Sequence, residues 1–221
     1  MPQPPITHSI ESLSTTELTR AIHIDFEGHQ EQAPVLLGVL IDQRYESFVL
    51  DPTLGSAAAA KGLRVADGGV VLAELLERAR REERLICAFG TSELRWAHTY
   101  FGVDLDDVYL NAHKVVKRWW RRTNPDVQPA LATRRNRRRG SRRAGYSQEF
   151  FEKNLGLKRP PHLVSGYASS RIRAVRNQLD RGLTYHELTR TAKAKWTKLL
   201  QYNETDVRNL AAVMSAVRVL A

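Results

Sequence analysis

A row of alternating residues near the N-terminus limits the folds that this chain can adopt. From Ala21 to Phe26 apolar and polar residues alternate, which predicts a strand with one apolar face and one polar face. An apolar run at 35–41 and a third strand pattern at 46–50 follow, separated by a short polar stretch. These patterns predict a β-hairpin beside the first strand.

Helix and strand patterns then alternate along the chain. Apolar residues at helical spacing predict helices at 69–83 and 92–101, and short apolar runs predict strands at 84–89 and 107–110. Strands that alternate with helices run parallel, and the helices lie against the sheet. We therefore expect an α/β fold in which a mixed sheet is flanked by helices.

The two ends of the chain differ in pattern. Residues 1–20 are expected to form a loose lead-in, with a short helix after Ser14. Further helices are expected from Ser147, at 168–182 and from Thr184 to the C-terminus, the last in one or two pieces. Residues 21–221 are expected to form a single domain.

Positive charge is concentrated in one segment. The chain carries 34 Lys and Arg against 24 Asp and Glu, a net charge of +10. Between Lys114 and Arg143 there are 12 basic residues and one acid, whereas the rest of the chain is close to neutral. Such a run is typical of a segment that binds nucleic-acid phosphates, although a solvated or membrane-attracted run has the same composition. Clustered arginines favour the first interpretation because guanidinium matches phosphate geometry.

The basic segment has two parts. Residues 114–122 are expected to form a helix whose aromatic and cationic side chains hold a single strand, with one of its two tryptophans inside and one partly outside. An arginine-rich insert at about 123–145 is expected to be an exposed, mobile loop. The predicted nucleic-acid-binding residues are Lys114, Lys117, Arg118, Trp119, Trp120, Arg121, Arg122, Arg134, Arg135, Arg137, Arg138, Arg139, Arg142 and Arg143.

Several classes of protein are disfavoured by the composition. The longest apolar runs are too short for a membrane span, and the first residues lack the order of a secretion signal. The single cysteine, Cys87, excludes internal disulfides and a cysteine-rich zinc site, and glycine loops of the nucleotide-binding type are missing. We expect a cytoplasmic protein without membrane partners.

Carboxylates at three places could form one site. Asp25 and Glu27 lie two residues apart on the first strand, so their side chains share one face and repel each other unless a cation lies between them. Oxygen ligands of this kind suit Mg²⁺ or Mn²⁺. Tyr202 and Asp206 share one face of a late helix, and Glu93 follows an apolar strand and a glycine turn. Each motif alone also fits ordinary solvated or paired side chains.

The three motifs together are far more specific. Their order, strand D-x-E, strand–turn–acid and helix Y-x3-D, resembles the DEDD exonucleases of the RNase H-like superfamily, and the tyrosine is typical of the DEDDy branch. Residues 202–207 (Y-N-E-T-D-V) are similar to the Y-N-x-x-D-V motif of predicted RNase H-like nucleases, and residues 146–157 to the segment that such nucleases carry before it. Gln201 stands where the histidine branch would need His. The resemblance spans about residues 21–215.

This resemblance implies a fold and a mechanism. The fold would be an RNase H-like mixed five-stranded sheet, three antiparallel strands followed by parallel ones, here with a basic insertion. Asp25, Glu27 and Asp206 would hold one divalent ion, and Asp25 with Glu93 would help to hold a second. Tyr202 would orient the attacking water. The implied activity is a two-metal 3′–5′ exonuclease, with Mg²⁺ or Mn²⁺ as cofactor and single-stranded or 3′-ended DNA or RNA as partner.

Alternatives stay open at three points. The family usually has an aspartate in the second motif, so Asp104, Asp106 or Asp107 could replace Glu93, although they precede a strand rather than follow one. His23 could contact substrate or be structural. A nucleic-acid-binding module with weak or lost catalysis, or a structure-specific endonuclease, would fit the same motifs.

Overall fold

A computed structural model describes residues 8–29, 32–129, 145–163 and 166–221. Its strands are β1 (Ile22–Glu27), β2 (Leu36–Ile41), β3 (Arg44–Val49), β4 (Arg64–Val65), β5 (Ile86–Ala88) and β6 (Tyr109–Asn111). Within the described residues they form one six-stranded sheet in the order β4-β3-β2-β1-β5-β6. Strands β1, β2 and β3 are antiparallel, whereas β5 and β6 run parallel to β1 and β4 runs parallel to β3.

Helices cover both faces of this sheet. They are α1 (Thr15–Arg20), α2 (Gly55–Ala59), α3 (Gly68–Arg81), α4 (Ser92–Phe101), α5 (Ala112–Thr123), α6 (Gln148–Asn154), α7 (Ala168–Leu179) and α8 (Arg190–Leu220). None of the helices in the described ranges is both long enough and apolar enough to cross a membrane. The prediction of an α/β fold with a mixed sheet flanked by helices is confirmed.

The hairpin between β2 and β3 turns within two residues. Asp42 and Gln43 both have positive φ, 49° and 67°, which are the backbone angles of a type I′ turn. This turn sets the register in which Gly38 of β2 lies beside Asp25 of β1 and Ser47 of β3. The hairpin therefore determines which residue of β2 lies next to the first carboxylate.

Alternation along β1 separates the core from the polar face, as the sequence predicts. Ile22, Ile24 and Phe26 are buried in a cluster with apolar residues of α3 and α4. Each such side chain contributes roughly 1.5–3 kcal/mol when it is fully buried. The odd-numbered residues face the opposite side, where α8 crosses β1, β2 and β3. Asp25 and Glu27 therefore lie between the sheet and this helix.

Helix α8 is one continuous helix of 31 residues rather than two pieces. Its N-terminus is capped by Thr189, whose side chain accepts a hydrogen bond from the amide of Ala192. Trp196 is fully buried and donates its indole N–H to the carbonyl of Ala57 at 3.1 Å. Buried apolar residues continue along the same side as far as Val217. This packing holds the helix, and the motif on it, rigidly against the sheet.

The sixth strand was not predicted. β4 pairs in parallel with Phe48 and Val49 of β3, inside a segment for which the sequence predicts no strand. Both of its residues are exposed, and two residues are too few to show a strand period. The five-strand prediction is therefore wrong by one edge strand, which lies far from the carboxylates.

The N-terminal segment is packed against the domain, where a loose lead-in was expected. Ile10, Leu13 and Leu18 are buried in the cluster that joins α5 to the C-terminal part of α8. Ser14 caps α1 through a capping box with Glu17, as the short-helix prediction requires. The loose lead-in is therefore wrong for residues 8–20, because three apolar side chains bury more surface than the sparse pattern suggests. Residues 1–7 lie outside the described residues.

Candidate metal centre

Three carboxylates from two elements meet between the sheet and α8. Strand β1 carries Asp25 and Glu27 on the face below the helix, and Asp206 comes from the helix. One oxygen of each lies within 4.8 Å of the others, close enough to hold a metal ion. Glu27 is buried, whereas Asp25 and Asp206 keep a small exposed area, so the group opens to solvent on one side. The sequence predicted this acidic triad.

The electrostatics of the acidic triad favour a cation. Burial raises the pKa of Asp25 well above its usual range, and the charges of Glu27, Asp206 and Glu93 raise it further. Burial also raises the pKa of Asp206 to about 6, even though an ion pair with Arg159 lowers it. Three carboxylates cannot all be charged here at low cost, because like charges in a low dielectric repel strongly. A divalent cation among the oxygens would remove this cost.

Asn203 holds Asp25 in place and was not predicted as a site residue. Its amide nitrogen donates to the carbonyl of Asp25 at 3.0 Å and to Oδ2 of the same residue at 2.8 Å. Its Oδ1 accepts a hydrogen bond from the Tyr45 hydroxyl at 2.7 Å. The side chain lies directly over Gly38, where a methyl group would be 2.1 Å from Oδ1. The sequence feature that could have identified Asn203 is its place in the Y-N-E-T-D-V motif, directly after Tyr202.

Glu93 lies near the acidic triad but outside it. It follows β5 in the first turn of α4, and it is buried with a raised pKa that is due mainly to desolvation. Its charge is among those that raise the pKa of Asp25. Within the described residues its Oε2 has no hydrogen-bond partner. The structure therefore brings Glu93 towards the site, as the sequence predicts, without placing it among the three oxygens.

The alternative acids of the second motif lie elsewhere. Asp107 forms an ion pair with Arg80 of α3 at 2.8 Å and is half exposed. Asp104 accepts a hydrogen bond from the amide of Asp106 in the same exposed loop. This loop precedes β6, so it lies at the edge of the sheet opposite to the carboxyl ends of β1 and β5. These three aspartates are not part of the site.

Arg159 and Glu152 form a buried ion pair beside Asp206, and neither was predicted. Arg159 donates from Nε and Nη2 to the two Glu152 oxygens, at 2.7 Å each, and also from Nη2 to Asp206. Glu152 is only 2% exposed, and Gln148 donates both to it and to the carbonyl of Asp206. Glu152 lies on α6, and Arg159 lies in the loop that follows this helix. No local pattern reveals the contact with Asp206, because Arg159 and Asp206 are 47 residues apart in the sequence.

Tyr202 joins this network from α8. It is buried, and a hydrogen bond from its hydroxyl lowers the pKa of Asp206, one turn further along the helix. The guanidinium carbon of Arg159 lies 5.5 Å from the ring centroid and that of Arg171 lies 5.3 Å from it. The Y-x3-D spacing therefore brings the hydroxyl to the acidic triad, as the sequence predicts.

His23 is structural. It is 4% exposed beneath the helices, and burial lowers its pKa to about 4. Its Nε2 has no hydrogen-bond partner in the described part of the chain. A neutral imidazole in this position has no open side towards a substrate.

The tryptophans of the basic helix are both inside, which corrects two predictions. Trp119 and Trp120 are each 4% exposed, so neither has a face on which a base could stack. The ring centroids of Phe150 and Phe151 lie 5.5 and 5.9 Å from that of Trp120. An aromatic cluster across α5 and α6 buries both indoles. The pattern of α5 alone could not predict this, because α6 lies some 30 residues further along the sequence.

The cations of α5 lie on its outer side. Lys114, Arg118, Arg121 and Arg122 are exposed and Lys117 is half-buried. Tyr146 lies near two of them, with its ring centroid 5.4 Å from Nζ of Lys117 and 5.1 Å from the Arg121 guanidinium carbon. Arg122 also pairs with Glu11. The predicted residues Arg134, Arg135, Arg137, Arg138, Arg139, Arg142 and Arg143 lie outside the described residues.

Trp120→Phe is expected to lower stability and leave nucleic-acid binding unchanged. The indole N–H donates to the carbonyl of Val127 at 3.0 Å, and the substitution removes this hydrogen bond and part of the packing against Phe150 and Phe151. We expect the free energy of unfolding to fall by about 1–2 kcal/mol, measured by urea denaturation. Oligonucleotide affinity should stay within about twofold of wild type, and a tenfold loss would mean that the indole contacts the strand.

Comparison with protein-family models and with curated protein sequences finds no match to this chain.

Proposed function

We propose that this protein is a metal-dependent nuclease that hydrolyses phosphodiester bonds of DNA or RNA, acting as a 3′–5′ exonuclease. The observation that carries the proposal is the acidic triad, with oxygens of Asp25, Glu27 and Asp206 within 4.8 Å of one another. The order and directions of the strands are compatible with an RNase H-like fold. The exposed cations of α5 are suited to nucleic-acid phosphates.

The donor set fits a hard divalent cation. All three groups offer carboxylate oxygens, which Mg²⁺ and Mn²⁺ prefer. The raised pKa values of Asp25 and Asp206 indicate an excess of negative charge that such an ion would relieve. When bound, a divalent ion activates water and stabilises charge on the phosphate. The count of two ions, with Glu93 helping to hold the second, stays a prediction.

The surrounding residues orient these groups. Asn203 fixes the rotamer of Asp25 by its hydrogen bond to Oδ2, so that Oδ1 remains for the ion. The Tyr202 hydroxyl, hydrogen-bonded to Asp206, is placed to orient a water molecule at the acidic triad. Since an ordinary tyrosine has a pKa near 10, it acts by orientation rather than as a base. Burial keeps these groups in one geometry, which is what positioning for an in-line attack requires.

The proposal is tested with single-stranded DNA and RNA labelled at either end. The expected result is stepwise loss of nucleotides from the 3′ end with Mg²⁺ or Mn²⁺ and none with EDTA. Asp25→Asn, purified in parallel, controls for a contaminating nuclease, since its activity should be lost.

Three outcomes lead to other conclusions. Internal fragments in place of a 3′ ladder would indicate an endonuclease on the same metal site. Tight binding without cleavage in either metal would indicate a binding module. Cleavage that persists in EDTA would contradict the role of the acidic triad.

Mg²⁺ is expected to stabilise the protein at about pH 7.5 but not at about pH 5. The folded pKa of Asp206, about 6, lies above its ordinary value of 3.8, so the metal-free folded protein holds a proton that the unfolded chain has released. That contribution to stability is present below about pH 4 and is lost as the pH rises through about 6. Above about pH 6 the carboxylates are deprotonated and can bind the ion. We therefore expect millimolar Mg²⁺ to raise Tm by about 5 °C or more in a thermal unfolding scan at about pH 7.5.

The same scan on Asp25→Asn provides the control. This variant lacks one ligand charge, so its Mg²⁺-dependent shift should be absent at both pH values. An equal shift in wild type and variant would assign the ion to another place on the protein.

A further inference from the structure

A second arginine beside the acidic triad, Arg171 of α7, is a buried cation without a carboxylate partner. It is 5% exposed, and within the described residues it forms no ion pair. One Nη2 hydrogen is donated to the carbonyl of His162 at 3.3 Å. The other nitrogen, Nη1, is buried and has no hydrogen-bond partner in the described ranges. No carboxylate among the described residues therefore balances its positive charge.

Such a group is costly to a folded protein. Buried charges are normally paired, and a guanidinium cannot avoid the cost by losing its proton. Arg159, close by, shows the usual solution, since it is held by Glu152 through two hydrogen bonds and pairs with Asp206. Arg171 lacks any such solution, which points to an anion that arrives from outside the chain.

The position of Arg171 identifies where that anion would lie. Its guanidinium carbon is 5.3 Å from the centroid of Tyr202, whose hydroxyl is hydrogen-bonded to Asp206. It is also 5.9 Å from the centroid of Tyr167, which is 55% exposed at the start of α7. The guanidinium therefore lies near both Tyr202 and an aromatic ring at the surface. An anion at Nη1 would therefore lie close to the tyrosine that is hydrogen-bonded to Asp206 of the acidic triad.

We propose that Arg171 binds a phosphate group of the nucleic-acid strand beside the acidic triad, and that Tyr167 stacks on a base of the same strand. The inference rests on the proposed nuclease function and adds to it a substrate-binding position. A guanidinium matches phosphate geometry, and an exposed tyrosine offers a face on which any base can stack. Arg171 would attract a phosphate of the strand, and a divalent cation held by the acidic triad would attract it further.

Arg171→Met tests the proposal, because stability and binding should respond in opposite directions. Removal of an uncompensated buried charge should leave Tm unchanged or raise it. Affinity for a fluorescein-labelled single-stranded oligonucleotide, measured by anisotropy in the non-cleaving Asp25→Asn background with Mg²⁺, should fall by about tenfold. In the active protein, kcat/KM for the same strand should fall by about a hundredfold.

Two further variants complete the test. Arg181→Gln removes the same charge from an exposed site just after α7, and it should change affinity by less than about threefold. Tyr167→Ala alters an exposed side chain, so the variant should fold normally. Its oligonucleotide affinity should fall by about threefold to tenfold, whereas its Mn²⁺ affinity, measured by calorimetry, should stay unchanged. If Arg171→Met does not fold, the oligonucleotide affinity of Tyr167→Ala still tests the proposal.

The outcomes separate this proposal from the proposed function. If wild type cleaves, Asp25→Asn does not, and Arg171→Met and Tyr167→Ala bind the strand as Arg181→Gln does, only the Arg171 site is wrong. A lower Tm of Arg171→Met with unchanged affinity would also overturn it, since the arginine would then be structural. If the wild-type protein neither binds nor cleaves DNA or RNA, both proposals fail.

Discussion

Asp206→Asn is expected to lower metal-dependent cleavage by about a thousandfold or more. The substitution removes one negative charge from the acidic triad while it keeps the shape of the side chain. The amide Oδ1 can still accept the hydrogen bond from Arg159, so the buried pair with Glu152 is retained. The measurement is the initial rate of loss of label from a single-stranded oligonucleotide in Mg²⁺, together with Mn²⁺ affinity by calorimetry.

Asp107→Asn is the matched control for this loss. It makes the same chemical change at a half-exposed aspartate that pairs with Arg80. Its cleavage rate and Mn²⁺ affinity should stay within about twofold of wild type.

The thermal stability of Asp206→Asn provides an independent readout. Because the pKa of Asp206 is raised in the folded protein, its replacement should not lower Tm in metal-free buffer at neutral pH. A rate for Asp206→Asn within tenfold of wild type would contradict the assignment of the acidic triad.

Gly38→Ala is expected to cost about 3 kcal/mol of the free energy of unfolding and to lower cleavage at least about tenfold. A Cβ at this position would lie 2.1 Å from Oδ1 of Asn203 and 3.1 Å from Cε2 of Tyr45. Asn203 is fully buried and held by three hydrogen bonds, so it cannot move without losing its contacts to Asp25. The substitution therefore disturbs the acidic triad through a residue that touches no ion. Urea denaturation and the cleavage rate report the two effects.

Gly55→Ala isolates the effect of the added methyl group. Gly55 begins α2 with helical φ, and a Cβ there meets no atom within 4 Å. Its stability should be unchanged or higher by about 0.4–1 kcal/mol, because alanine restricts the unfolded chain. If Gly38→Ala behaved like Gly55→Ala, the close packing of Asn203 on β2 would not be needed for the site.

Local periods explain why so much of the acidic triad was predictable. A strand has a period of two, so the spacing of Asp25 and Glu27 places both on one face wherever the strand lies. A helix brings residues four apart to one side, so the spacing of Tyr202 and Asp206 defines their common face. The alternating elements also predicted a mixed sheet covered by helices. These inferences need only neighbours along the chain, which the sequence contains.

Contacts between distant segments could not be read in this way. Arg159, which pairs with Glu152, reaches Asp206 from another segment. Asn203 of α8 meets Gly38 of β2 and Tyr45 of β3. No period links such residues, since their separation depends on how whole elements pack. For the same reason the basic helix was expected to expose a tryptophan, whereas its indoles are covered by an aromatic cluster on α6.

The sequence by itself determined the type and order of the elements, the shared faces of the site carboxylates and the concentration of positive charge. Only the tertiary structure decided which distant groups compensate one another. Asp206 and Glu152 balance Arg159, while Arg171 is left buried without a carboxylate in the described part of the chain. The physical reason is that the cost of a buried charge depends on its neighbours within a few ångströms, and folding brings these together from segments that are far apart in sequence.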